Sequence, residues 1–265
     1  MCDTCGCNIT PGNRAFAYKP VEKGATAVSV LQGLLQRNDD QAAHNRAHFD
    51  QRGILALNLM SSPGSGKTAL LEATIAALKT EFNIAVIEGD LETENDAQRI
   101  RAQGVPAHQI VTGTACHLDA HLVHDALHHL DLDKVDLLFI ENVGNLVCPA
   151  SFDLGQHLNV TLLSVTEGDD KPAKYPVMFR GADAMLITKT DLLPHLDDFD
   201  PARAESFLRN LANPAPVLRL SARRGAGMTE WLAWLREQLT SQRKRLAAGQ
   251  SRRPAIQPEG AQLHG

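Results

Sequence analysis

The sequence lacks the features of a membrane, secreted or nucleic-acid-binding protein. No apolar run approaches the roughly 20 residues of a membrane-spanning helix, and the N terminus has neither the basic nor the apolar region of a signal peptide. The formal net charge of −5 gives no reason to expect nucleic acid as a partner. We therefore expect a cytoplasmic protein that neither enters a membrane nor binds nucleic acid.

Cysteine is also scarce, and its placement excludes a disulfide framework. The chain has five cysteines, an odd number, and three of them are Cys2, Cys5 and Cys7. Thiols this close together fit a reduced, metal-binding motif better than disulfide bonds. The 265 residues, 43% of them apolar, are enough for one α/β core with extensions.

One stretch predicts a phosphate-binding loop. Residues 54–60 form a short apolar run typical of a buried parallel strand, and proline and glycine interrupt it in residues 61–66. Lys67 and Thr68 then open a segment with apolar residues at helical spacing. In such a loop the amides and helix N terminus face the phosphates, the lysine neutralises the β and γ phosphates, and the threonine hydroxyl holds Mg²⁺. The predicted nucleotide-binding residues here are Ser62, Pro63, Gly64, Ser65, Gly66, Lys67, Thr68 and Ala69.

The loop departs from the usual pattern at one position. Ser61 stands where the pattern asks for glycine. The alternative is a chance glycine-rich turn between a strand and a helix. We favour the phosphate loop because Gly66, Lys67 and Thr68 have the strand before them and the helix after them.

Acidic residues follow two later strand-like runs. Asp90 closely follows the run at residues 83–88, and Glu141 directly follows the run at residues 135–140. Ligands of open α/β sheets bind outside the carboxyl ends of the strands, so both acids are predicted Mg²⁺ and catalytic residues beside Lys67. Asp90 is the candidate to orient the attacking water, and Gly144 lets its loop approach the γ-phosphate. The segment after Asp90 also reads as an acidic loop that caps the next helix, and both roles are compatible.

Two more segments predict guanine recognition. Lys189 and Asp191 follow a strand at residues 183–188, where a lysine stem packs on the base and a carboxylate accepts hydrogen bonds from guanine but not adenine. The common pattern has asparagine where Thr188 stands. Ser221 and Ala222 follow a later strand, and their amides are expected to contact the guanine oxygen.

Cys2, Cys5 and Cys7 predict a metal site at the N terminus. Three thiolates, joined by the α-amine of Cys2 once Met1 is removed, can lie in one plane, which suits nickel(II) or copper better than zinc. The alternative is a flexible terminus that binds metal adventitiously. Three cysteines in seven residues favour the functional interpretation.

A second metal site is predicted from Cys116, His117 and Cys148. All three follow strand-like runs and are expected at the same end of the sheet. Packing residues are the alternative. Other histidines recur at helical spacing, His44 with His48, and His121 with His124 and His128. We expect these to be solvated helix faces and leave them out of the site.

These features predict an α/β fold with a mostly parallel sheet flanked by helices. The expected organisation is a flexible metal-binding extension, tether and helix in residues 1–53, a P-loop GTPase domain in residues 54–242, and a disordered polar tail in residues 243–265.

Six stretches resemble the hydrogenase nickel-incorporation GTPases, the HypB family of SIMIBI-class P-loop proteins. They are residues 2–7, 61–71, 116–120, 139–155, 164–175 and 189–194, and the run E-N-V-G-N-L-V-C-P is the most specific. The resemblance implies a GTPase that delivers nickel to the [NiFe]-hydrogenase large subunit with a companion maturation metallochaperone and dimerises when GTP is bound. It also implies zinc or nickel at Cys116, His117 and Cys148, and nickel at Cys2, Cys5 and Cys7. Thr114 replaces a common lysine, and no histidine-rich storage tract is present.

The predicted mechanism couples nucleotide to metal. Binding of Mg-GTP orders the loops after Asp90 and Gly144 and moves Cys148 relative to its partner ligands. The absence of an evident arginine finger or catalytic glutamine predicts slow intrinsic hydrolysis. Alternatives are a related urease or cobalamin-enzyme GTPase, a P-loop small-molecule kinase, and a structural metal-binding adaptor.

Overall fold

The computed structural model describes residues 27–90, 95–113 and 116–254, without the side chains of residues 27–32, 34 and 90. The predicted nickel ligands Cys2, Cys5 and Cys7 lie outside the described residues, as does Thr114. The chain divides into two compact units, residues 1–37 and residues 38–265.

Strands and helices alternate along the chain. The strands are β1 (Leu55–Ser61), β2 (Ile84–Asp90), β3 (Ala107–Val111), β4 (Leu137–Glu141), β5 (Leu158–Ser164), β6 (Ala184–Thr188) and β7 (Val217–Arg219). The helices are α1 (Ala27–Arg52), α2 (Lys67–Leu78), α3 (Asn95–Ala102), α4 (Ala120–Leu127), α5 (Lys171–Lys174), α6 (Pro176–Arg180), α7 (Pro201–Asn210) and α8 (Met228–Ala247). Short 3₁₀ helices span Leu132–Lys134, Cys148–Ser151 and Thr190–His195. No described helix is both long enough and apolar enough to cross a bilayer.

The seven strands form one sheet in the order β3-β2-β4-β1-β5-β6-β7, and every described pair is parallel. This confirms the predicted fold class. The central strand β1 is buried along its whole length because helices cover both faces of a parallel sheet. Leu55 and Leu57 pack in the cluster that holds Trp231 of α8, whereas Ala56 packs on the other face with Phe49 of α1.

The parallel arrangement determines where a ligand can bind. All described strands end at the same edge of the sheet, and the order reverses beside β1, where β4 lies on one side and β5 on the other. The loop after β1 therefore opens at the switch point of the sheet, which is the usual ligand position in this architecture.

Packing at the two ends of the sheet domain involves α1 and α8. The second compact unit begins at Asn38, and Arg46 of α1 is buried against Asp153, so the second half of α1 packs with the sheet domain. At the other end α8 continues to Ala247 because the buried Gln242 donates to Asp50. The predicted tail was expected to start at residue 243, and its residues from 255 onward lie outside the described residues.

Candidate nucleotide and metal sites

The loop after β1 has the backbone of a phosphate-binding loop. Gly64 and Gly66 have φ angles of 73° and 95°, a region that favours glycine. Helix α2 begins directly after Gly66, so its free N–H groups face the space above the sheet. The loop lines a cleft of about 400 Å³ together with the ends of β2 and β4. A nucleotide phosphate chain would lie against these amides.

Lys67 and Thr68 point into this cleft and bind protein groups there. Lys67 Nζ donates to Ser61 Oγ at 2.9 Å and lies 4.0 Å from Glu141 Oε1. Thr68 Oγ1 donates to the same Glu141 oxygen at 3.1 Å. Ser61, which departs from the usual pattern, thus gives the ammonium group a polar partner near the loop. All of these side chains are buried.

A second carboxyl group, not predicted from the sequence, lies beside Glu141. Glu88 is the register partner of Glu141 on the neighbouring strand and is 2% exposed. Burial, followed by the proximity of Glu141, raises the pKa of Glu88 to about 10. Burial also raises the pKa of Glu141, and Lys67 opposes that shift. The sequence signal was an acid at the end of an apolar run, which we interpreted only as the last residue of the strand predicted at residues 83–88.

The paired carboxyl groups fit a magnesium site. One oxygen of each group, Glu88 Oε1 and Glu141 Oε2, is buried without a hydrogen-bond partner. These oxygens and the Thr68 hydroxyl are the hard ligands that Mg²⁺ prefers. Asp90 lies at the end of β2, where its backbone pairs with Val111, but its side chain lies outside the described part of the chain, so its catalytic role stays a prediction.

Gly144 packs directly on the phosphate loop. A Cβ atom on Gly144 would lie 2.8 Å from Pro63 Cα and 2.9 Å from Pro63 N. The loop after β4 therefore contacts the phosphate loop through backbone atoms, and a side chain at residue 144 would separate them.

The segment that carries the predicted guanine-binding residue Lys189 also contacts the phosphate loop. Lys189 Nζ donates to the Gly64 carbonyl at 2.6 Å, and Thr188 Oγ1 donates to the Ser65 carbonyl at 2.7 Å. A hydrogen bond with Ser221 lowers the pKa of Asp191, which keeps the carboxylate ionised. The carboxylate can thus accept hydrogen bonds from a base. Ser221 and Ala222 lie shortly after the end of β7.

The structure also brings Cys116, His117 and Cys148 together. The two Sγ atoms lie 2.8 Å apart, and Cys116 Sγ lies 3.6 Å from His117 Nδ1. One ligand atom from each residue lies within 4.8 Å of the others. Burial lowers the pKa of His117, so its ring is neutral and offers a lone pair, and it stacks on Phe152 at 3.9 Å. Two soft thiols and an imidazole are a ligand set for nickel or zinc.

Asparagine side chains connect the metal set to the nucleotide cleft. Asn142 lines the cleft, and its Oδ1 accepts from the backbone N–H of Leu118 at 3.2 Å. Asn145 Nδ2 donates to the Cys116 carbonyl at 3.4 Å. The segment 142–148 thus begins at the cleft, holds the loop that carries Cys116, and ends at Cys148. Neither Asn142 nor Asn145 was predicted from the sequence.

These features define the class of the protein, a P-loop nucleotide-binding protein with a Cys-His-Cys set beside its cleft. The family model for the CobW/HypB/UreG nucleotide-binding domain matches residues 55–219. The chain therefore belongs to the CobW/HypB/UreG family, and its similar relatives are HypB proteins.

Two curated relatives share more than half of the aligned residues. The hydrogenase maturation factor HypB of Azotobacter vinelandii is 55% identical over 224 residues, covering 84% of this chain and 74% of that protein. The factor of the same name from Escherichia coli K12 is 54% identical over 224 residues, covering 84% of this chain and 77% of that protein.

Two solved structures share the fold. HypB from Helicobacter pylori in complex with nickel has a TM-score of 0.74 and 44% identity, covering 77% of this chain and 96% of that one. HypB from Archaeoglobus fulgidus has a TM-score of 0.72 and 38% identity, covering 77% of this chain and 100% of that one. These relatives confirm the resemblance to the HypB family.

Proposed function

We propose that this chain is a GTP-hydrolysing nickel metallochaperone that delivers nickel to the large subunit of a [NiFe]-hydrogenase during its maturation. The observation that carries the proposal is the segment 142–148, which runs from the nucleotide cleft to Cys148. The names of the relatives, hydrogenase maturation factors and a nickel-bound HypB structure, support the choice of hydrogenase and nickel.

The residues of the cleft have separate roles in GTP hydrolysis. Lys67 exchanges Ser61 Oγ and Glu141 for the β and γ phosphate oxygens, and the amides of the phosphate loop bind the same phosphates. Asp191 and Lys189 select guanine. Thr68, Glu141 and Asp90, with Glu88 beside them, would hold Mg²⁺, which supplies charge neutralisation at the phosphates. Turnover by the isolated chain is slow because no residue predicted from the sequence supplies a catalytic arginine or glutamine.

Nucleotide binding changes the metal set through direct contacts. A phosphate loop that shifts around GTP displaces Gly144, because Pro63 lies against its backbone. The displacement passes along residues 142–148 to Cys148 and, through Asn142 and Asn145, to the loop that carries Cys116. Since the two thiols sit on different loops, their separation changes and so does their affinity for nickel or zinc.

The remaining parts of the proposal concern partners and location. Val147, next to Cys148, is 60% exposed, and an apolar side chain there supports a homodimer contact in the GTP-bound state. Reduced thiols at the metal set are maintained in the cytoplasm, where the large subunit and a companion metallochaperone would be met. Cys2, Cys5 and Cys7 serve as the tight nickel site.

The test measures nickel and zinc affinity with GDP and with a non-hydrolysable GTP analogue. A Cys2/Cys5/Cys7→Ala chain reports on the Cys116 set, and a Cys116/Cys148→Ala chain reports on the N-terminal site. We expect only the Cys116 set to respond to nucleotide. Its response should disappear in Lys67→Ala and persist in the exposed control Lys134→Ala, whose lysine pairs with Asp131. If neither metal site responds to nucleotide, the coupling mechanism is wrong.

A further inference from the structure

Four histidines that we expected to be solvated lie together between α1 and α4. The rings of His44 and His48, one turn apart on α1, have centroids 4.5 Å apart. The ring of His124 on α4 is 5.2 Å from that of His44 and 6.0 Å from that of His48. His128 extends the group, 5.0 Å from His124. We call His44, His48 and His124 the histidine cluster; its three rings are half-buried, whereas His128 is exposed.

Two members of the cluster already have the spacing of ligands to one ion. His44 Nε2 and His48 Nε2 lie 2.9 Å apart. Two nitrogens at about 2.0–2.1 Å from one ion, at a right angle to each other, lie about 2.9 Å apart. In the metal-free protein a hydrogen atom occupies this space, because Arg52 donates to His48 Nδ1 and leaves the hydrogen of a neutral ring on Nε2.

Asn45 fixes the third ring in the state that a metal ion requires. Its Nδ2 donates to the carbonyls of Ala120 and Leu154, so its Oδ1 must be the acceptor toward His124 Nδ1 at 3.1 Å. His124 therefore carries its hydrogen on Nδ1 and has its lone pair on Nε2. Histidine ligands commonly donate their second ring N–H to a protein oxygen in this way. Asn45 is fully buried, so this orientation is held by the core.

The rings of His48 and His124 are also held neutral. Burial, followed by the neighbouring histidines, lowers the pKa of His124 to about 4. Burial, His44, Arg52 and His128 lower the pKa of His48. At neutral pH the lone pairs of His48 and His124 are therefore not occupied by an additional proton. Arg52 also pairs with Asp133 and the His48 carbonyl, so it keeps partners if His48 moves its hydrogen to Nδ1.

We propose that the histidine cluster binds one divalent borderline metal ion, Ni²⁺ or Zn²⁺, at a site separate from the Cys116 set, once the His124 ring closes on the His44–His48 pair. Among the described residues only the Cys116 set already has three ligand atoms within 4.8 Å of one another. Imidazole is a good ligand for both ions. Without a thiolate, the site holds nickel more weakly than the Cys116 set does, which suits an ion in exchange with solution. The inference goes beyond the proposed function and does not depend on it, because no nucleotide-binding residue takes part.

The decisive experiment counts nickel in a full-length chain whose five cysteines are replaced by serine. Equilibrium dialysis against Ni²⁺, followed by metal analysis, should give one ion per chain. His44→Gln or His48→Gln should weaken this binding by more than the roughly 10–100-fold that loss of an outer-shell partner costs. The matched control is His121→Gln, because His121 is exposed on α4 and has no ring contact with the cluster among those described. Equal nickel binding by the His48→Gln and His121→Gln variants overturns the proposal. So does a folded serine chain that binds no nickel.

A second measurement keeps the test valid if the serine chain does not fold. In the otherwise unchanged protein, His48→Gln should reduce the nickel count by one while leaving the thiolate-to-nickel absorption bands intact, whereas Cys148→Ser should reduce the count and also weaken those bands. GTP hydrolysis should be the same in His48→Gln and the unchanged protein. A nickel count that His48→Gln leaves unaltered again contradicts the site.

Discussion

Glu88 and Glu141 are direct register partners on the adjacent strands β2 and β4, and both carboxyl groups are buried in the nucleotide cleft. Two like charges this close cannot both be ionised in a buried site without a cation between them. In the absence of nucleotide and metal, Glu88 keeps its proton, since burial and Glu141 raise its pKa to about 10. A cation bound between the two carboxyl groups would therefore stabilise their ionised forms. Lys67 provides only part of this positive charge, because its Nζ lies 4.0 Å from Glu141 Oε1.

This pair predicts how stability depends on pH in the metal-free protein. The unfolded chain loses the Glu88 proton near pH 4.5, whereas the folded chain keeps it to about pH 10. Because the folded state then binds the extra proton, the free energy of unfolding should fall as pH rises through this window, by at most about 1.4 kcal/mol per unit. Glu88→Gln should flatten the slope. Urea unfolding in EDTA between about pH 5 and pH 9 measures it.

The control for this prediction is Glu237→Gln, which alters an exposed carboxylate on α8. It should leave the pH slope unchanged. A Glu88→Gln chain with the slope of the unchanged protein would show that Glu88 ionises in the folded state without cost.

Gly144→Ala should disrupt the contact between the loop after β4 and the phosphate loop. The added methyl group would lie 2.8 Å from Pro63 Cα, and neither backbone can move away without reshaping the cleft. We expect a loss of roughly 1–3 kcal/mol in stability, as for other overpacked sites, and weaker GTP binding. Gly33→Ala, which lies on helix α1 and meets nothing within 4 Å, is the control; it should leave GTP binding unchanged and should not lower the stability. Thermal unfolding and a fluorescent GTP analogue report the two effects, and normal GTP affinity in Gly144→Ala would refute the close-contact argument.

Cys116 and Cys148 should form a disulfide when the metal is removed. Their sulfur atoms are 2.8 Å apart, and a bond requires an approach to about 2.05 Å. Diamide takes two electrons and two protons from the thiols and becomes the hydrazine. We expect rapid loss of two free thiols in a Cys2/Cys5/Cys7→Ser chain, and protection when nickel or zinc is bound. Thiol counting and peptide mapping measure this; Cys148→Ser is the control, and thiols that stay reduced without metal would contradict the prediction.

The Arg46–Asp153 ion pair should cost far more to break than an exposed ion pair of the same protein. Arg46 Nη2 lies 2.7 Å from both carboxylate oxygens, and both side chains are almost fully buried. Arg46→Ala removes the countercharge of the buried Asp153 carboxylate, so we expect a loss of about 3–5 kcal/mol. Lys174→Ala breaks the exposed pair with Asp170 and should cost far less, because solvent screens that pair. Equal losses in denaturant unfolding would contradict the role of burial.

Local pattern was sufficient to predict several of the residues that the structure brings together at the candidate nucleotide and metal sites. The phosphate loop was predictable because glycine, proline and the Lys67–Thr68 pair act on their immediate neighbours, and the flanking strand and helix show their own periodicity. Glu141 and the Cys116 set were predictable for a related reason, since residues that follow parallel strands meet at one edge of the sheet. The HypB resemblance rested on the same short runs.

The sequence by itself determined the strand, loop and helix elements and the chemistry at the strand ends, because those depend on residues close together in the chain. Only the tertiary structure decided which ends are neighbours. Strand order places Glu88 beside Glu141, and the packing of α1 on α4 places His44 and His48 beside His124. Such contacts depend on register and helix packing over long sequence separations, and no local periodicity encodes them.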